Sequence, residues 1–70
     1  MDNVIQFAVS QARNKGIDSI RFSEFFFSFI CPSAEKFKEE DIPYLGCMDK
    51  LEAMGHTVSN DACIWRVTFN

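Results

Sequence analysis

The 70-residue sequence predicts an α+β fold built from three helices, a short strand and a C-terminal β-hairpin. Three observations carry that expectation. Apolar residues recur at helical spacing in three stretches, each closed by glycine or proline. Residues 62–69 alternate between two faces in the manner of a strand. With 47% hydrophobic and 24% charged residues, the composition is that of one packed globule spanning residues 1–70, rather than of a disordered tail.

The first helix is read from "NVIQFAVSQARNKG". Asn3 is placed as its cap, with Gln6 completing a capping box. Ile5, Ala8 and Ala12 form its apolar stripe, flanked by Val4 and Val9. Arg13 and Lys15 lie where positive charge suits the helix dipole, and Gly16 supplies the stop. "SIRF", residues 19–22, suits a short strand in which Ile20 and Phe22 share a face. Ser23 is the expected cap of the second helix, whose apolar positions 22, 25, 26, 29 and 30 follow the core-facing pattern. Five phenylalanines crowd into "RFSEFFFSFI", residues 21–30, and this pattern assigns four of them to packing. Phe27 lies off the stripe. Either it closes a hydrophobic staple with Phe22, or it faces a partner.

Pro32 is expected to end that helix, and Ser33 to cap a single turn that carries Phe37 inward. Asp41 is the expected cap of the third helix, with Pro43 in its first turn. Tyr44, Cys47, Met48 and Leu51 make the buried stripe of this helix, Met54 lies near it, and Gly55 closes it. In the tail, "HTVS" enters a hairpin and "ND" turns it. Cys63, Trp65, Val67 and Phe69 are expected to face the helices, with Ile64, Arg66 and Thr68 on the outer side.

The order helix, short strand, helix, helix, hairpin resembles a winged helix-turn-helix domain. The likeness is sharpest where "MDKLEAMGHTV" leads into "CIWRVTF", as the recognition-helix end of that superfamily leads into its wing. The resemblance covers nearly the whole chain in topology and about eleven residues in motif. It implies duplex DNA binding, with Pro43, Gly46, Asp49, Lys50 and Ala53 facing the major groove and Ser59, Asn60 and Asp61 at the wing tip.

The charges point elsewhere. Phosphate contacts need lysine or arginine, yet the chain carries −3 overall, and residues 35–41 hold two lysines against four acids. The third helix sets Asp49 and Glu52 against Lys50. A DNA-binding regulator built on this chain would depend instead on Arg13, Lys15, Arg21, Lys50 and Arg66. The charge pattern favours a protein partner, basic in character, met by Phe27, Asp41, Asp49, Lys50 and Glu52.

Catalysis finds little footing, because the single histidine, His56, has neither an orienting group nor a glycine-rich phosphate loop beside it. Cys31, Cys47, Cys63 and His56 have the ligand count for zinc but contain no short chelating pair. No cofactor, metal or enzymatic activity is expected. An odd number of cysteines suits free thiols in a reducing compartment. The N-terminus has no basic leader, and no apolar run approaches the ~20 residues that span a bilayer. The expectation is a cytoplasmic, non-catalytic regulatory or adaptor module, monomeric or homodimeric. Its small size makes it analogous to accessory regulators of the kind phages and mobile elements encode.

Overall fold

The structure, a computed structural model, describes residues 2–37 and 42–70. Helix α1 (Asp2–Asn14) leads into strand β1 (Ser19–Arg21). A second helical run, α2, covers residues 22–37 in three segments: an α-helical turn Phe22–Phe25, a π-helical turn Phe26–Ile30 and an α-helix Cys31–Phe37. Helix α3 (Tyr44–Ala53) then precedes the hairpin of β2 (Thr57–Asp61) and β3 (Ile64–Thr68). The antiparallel sheet has the order β1-β3-β2, with β3 central. The expected α+β class and the order of its elements are those observed.

The ends of α1 and α3 share one device. Gly16 and Gly55 sit at φ +80° and +95°, a region open to glycine. After α1, Ile17 donates to the carbonyl of Ala12 and Gly16 to that of Arg13. After α3, His56 donates to Leu51 and Gly55 to Glu52. Both are Schellman closures, in which the turn takes up carbonyls the helix leaves unpaired. At its start, α1 already includes Asp2, so Asn3 lies inside the helix rather than capping it.

Pro32 does not end α2. Across the π turn, the Cys31 N–H reaches back five residues to the Phe26 carbonyl. The helix can therefore pass a residue that has no N–H to give. Phe27 and Ser28, whose carbonyls would have met the missing donor, lie on the exposed side. Ser33, expected as a cap, is instead buried in the run and donates its hydroxyl to the Phe29 carbonyl at 2.5 Å. Phe37 remains exposed and packs edge-on against Phe7. At the other end, Arg21 occupies the cap position in extended conformation without a side-chain bond, and Ser23 falls within the helix. Asp41 lies outside the described residues. Pro43 precedes α3 as its cap rather than entering its first turn, and its carbonyl accepts from Cys47.

The core joins Val4, Ile5 and Ala8 of α1, Phe22, Phe25 and Ile30 of α2, Cys47 and Leu51 of α3, and Val67 and Phe69 at the base of the hairpin. Ile20, Val67 and Val58 stand opposite one another across the three strands and form the row of the sheet that meets the helices. The hairpin turns two residues later than the sequence suggests. Asp61 pairs with Ile64, so Ala62 and Cys63 make the turn, at φ 53° and 67°. Positive φ at both central residues is what a two-residue type I′ turn requires. Without glycine or asparagine there, the turn costs about 1–2 kcal/mol per residue. The gain is register: all five residues of β2 find partners, and Val58 lies opposite Val67 in the core row.

Candidate functional site

Four large apolar side chains face solvent at one end of the molecule or on α3: Phe27 at 65% exposure, Leu45 at 68%, Ile64 at 41% and Trp65 at 42%. Trp65 and Cys63 were expected on the core face. The alternation does place Trp65 on the same side of β3 as Val67, but the helices cover only the base of the strand. Beyond Val67 the side chains stand clear of the core, and Cys63 is exposed in the turn.

Tyr44, at the start of α3, anchors this surface. Its ring lies edge-on to Phe22 and Phe26, each at 4.8 Å, and is 6.2 Å from Phe27. Phe27 also lies edge-on to Phe26 at 5.2 Å. Among the described aromatic contacts its partners are Phe26 and Tyr44, and Phe22 instead packs with Phe26, one turn along the helix. The staple is therefore not formed, because the helix begins two residues earlier than a Ser23 cap would set it. On the other side of Tyr44, a hollow of about 270 Å³ is lined by Arg21, Ser23, Tyr44, Cys63, Ile64 and Trp65. A half-buried aromatic ring packed against the core thus links Phe27 to the hairpin tip.

On α3, the spacing of Leu45, Asp49 and Glu52 at i, i+4 and i+7 puts them on one flank, and all three are exposed. Lys50 falls on the other flank, where its ammonium is 3.3 Å from Asp2 of α1. Gly46 is half-buried against Pro43, where an added Cβ would come within 2.7 Å of the proline ring. Gly46 thus serves the close approach of Pro43 at the helix start.

The other bases expected at a DNA contact are scattered. Arg13 donates to the Asn70 carbonyl at 2.8 Å, and Lys15 lies 5.7 Å from the centre of the Phe29 ring. Arg21 and Arg66 stand opposite each other on the outer face of the sheet, with Arg66 3.5 Å from the Ser19 hydroxyl. These positions belong to different faces of the molecule and do not join Lys50 in one basic strip.

His56 closes the far end of the sheet. Its Nδ1 accepts from the Asn70 N–H at 3.2 Å, and its ring meets Phe69 edge-on. Burial, and secondarily the charge of Arg13, hold its pKa below the ordinary value of 6.5. Burial, with a smaller contribution from Cys31, pushes the Cys47 thiol up to about 11, which keeps it protonated and unreactive at neutral pH. Among the described residues no group of three or more His, Cys, Asp or Glu side chains is placed to hold a metal ion. No described helix is long and apolar enough to cross a membrane.

Of the residues expected at a partner surface, Phe27, Asp49 and Glu52 are exposed as required, Lys50 is tied to α1, and Asp41 lies outside the described residues. Leu45, Ile64 and Trp65 were missed. Leu45 and Ile64 had a signal, since both are apolar and off the core stripes of their elements. The fold and this surface define a small α+β domain of winged-helix-like topology with an exposed aromatic and aliphatic end. Compared with known families, curated proteins and solved structures, the chain matches none.

Proposed function

We propose that this chain is a non-catalytic protein-binding module, a small regulator or adaptor. Its docking surface is the apolar end formed by Phe27, Tyr44, Ile64 and Trp65, extended by the Leu45–Asp49–Glu52 flank of α3. The observation that carries this reading is the exposure of Phe27 and Trp65 on either side of a half-buried Tyr44 ring packed against the core. Rigid aromatic side chains of this kind are the residues that dominate interface energetics. Asp49 and Glu52 beside Leu45 suit a partner with lysine or arginine around an apolar contact, attracted over long range by charge.

Duplex DNA binding in the winged-helix manner is the less favoured reading. α3 offers a single base, Lys50, already paired with Asp2. The arginines lie on other faces, whereas backbone contacts require a contiguous basic surface.

The test is affinity capture with wild type, with Phe27→Ala/Trp65→Ala, and with Asp49→Asn/Glu52→Gln, alongside gel shifts on random duplex. A partner held by wild type should be lost from the aromatic double variant. The neutralised variant should hold it with a weaker salt dependence. Nanomolar duplex binding at ~150 mM salt, in the range of specific protein–DNA complexes, would overturn the proposal in favour of a DNA-binding regulator.

A further inference from the structure

A second concave surface lies between α1 and α2, away from the apolar end. It is a groove of about 360 Å³ whose lining includes Phe7 and Gln11 from α1, Lys15 just beyond its end, and Phe29, Pro32 and Lys36 from α2. The two helices run antiparallel here, since Phe7 meets Phe37 while Lys15 meets Phe29. Lysines near the C-terminal ends of both helices therefore fall at opposite ends of the groove. The Lys36 ammonium sits 4.4 Å from the centre of the Phe7 ring, and Lys15 lies 5.7 Å from Phe29. From Phe7 to Asn14, where α1 ends, is seven positions, about 10 Å along the helix axis, and Lys15 follows directly. Among the described residues the lining contains no acid, in a chain whose net charge is −3.

The local irregularity of α2 borders the same groove. Ser28 and Phe29 belong to the π turn, and Pro32 and Ser33 follow it. A π turn carries a conformational cost and is enriched at functional sites. Ser33, buried and bonded to the Phe29 carbonyl, is a small side chain where a larger one would fill the space. The result is an open trough with an aromatic ring and a lysine ammonium over it at each end.

We propose that this groove binds an acidic amphipathic helix of a partner protein. Its carboxylates would stand about two turns apart, at the spacing of Lys15 and Lys36, with apolar side chains between them against Pro32 and the inner edges of Phe7 and Phe29. Two features select a helix over a small organic acid. The trough is open along its length, so a small ligand would stay largely in water, and its two charges are separated by the length of two helical turns. Charge complementarity selects the sign. This site is distinct from the proposed docking end and does not depend on it.

The probe is a synthetic helical peptide of about 18 residues, with glutamates about seven positions apart and leucines three and four positions after the first. A matched peptide carries lysines in place of the glutamates. Fluorescence anisotropy at low and physiological salt should show wild type preferring the glutamate peptide by roughly tenfold or more. Lys15→Glu/Lys36→Glu should reverse that preference. Gln11→Glu, which keeps both lysines, should weaken the glutamate peptide, and circular dichroism melts establish that each variant is folded. Trp65→Ala should leave peptide binding unchanged. Three results would overturn the proposal: no binding by wild type, equal affinity for the two peptides, or binding abolished by Trp65→Ala and untouched by the lysine changes.

Discussion

The two ends of β3 obey the same alternation and have different fates. At its base, Val67 and the following Phe69 are buried, Val67 between Ile20 and Val58 and Phe69 against the ring of Phe25 at 5.2 Å. At its tip, Ile64 and Trp65 are both more than two-fifths exposed, although Trp65 points to the same side as Val67. Period two decides which side of a sheet a residue takes. Whether that side is buried depends on how far the helical layer reaches, and here it stops at Tyr44 and the first turn of α2. The base holds the domain together, while the tip carries apolar area that the fold leaves uncovered.

The sharpest way to break this contrast is at the base. Phe25→Ala removes a fully buried ring that packs on Phe29 and Phe69. The expected loss is about 3–5 kcal/mol, enough to unfold much of so small a domain, read as a collapsed denaturation midpoint. Trp65→Ala at the tip should cost only about 1–2 kcal/mol, because little more than half of the ring is buried. The same variant should abolish partner capture per folded molecule. If Trp65→Ala unfolds the protein as Phe25→Ala does, the tip is part of the core and the docking surface is wrongly placed.

The turn beyond the tip offers a change in the opposite direction. Ala62→Asn/Cys63→Gly supplies the residues that positive φ favours, and should raise stability by roughly 1–2 kcal/mol with the register unchanged. A loss of stability would place the turn elsewhere than at Ala62 and Cys63.

The smallest effect is a pH dependence at the base. The pKa of His56 lies below its unfolded value in the native state, so the unfolded chain takes up the proton first. Its contribution is therefore complete above about pH 6.5 and lost as pH falls through that value toward the lower native pKa. Protonation of Nδ1 also removes the acceptor for the Asn70 N–H. Thermal melts between neutral and mildly acidic pH should show this decline, and His56→Gln should flatten it. An unchanged slope in that variant would assign the dependence to other groups.

Much of the fold was legible because it rests on short-range rules. The stripes of α1 and α3, the closures at Gly16 and Gly55, and the order of the elements follow from periodicity and from glycine's access to positive φ. These are properties of a residue and its near neighbours, and chain order carries them. What the sequence could not settle were competitions between distant groups. Proline argued for a helix end at Pro32, but a π register and the Ser33 hydroxyl let the run continue to Phe37. Asn60 and Asp61 are better turn formers than Ala62 and Cys63, but pairing Val58 with Val67 in the core row outweighed local turn preference. The candidate site lay further still from local rules. Charge sign and the off-stripe position of Phe27 were visible in the sequence. The exposure of Trp65, the pairing of Lys50 with Asp2 and the groove between α1 and α2 were decided in three dimensions. Burial and ion pairing depend on which surfaces meet, and only the packed helices determine where the covering layer ends.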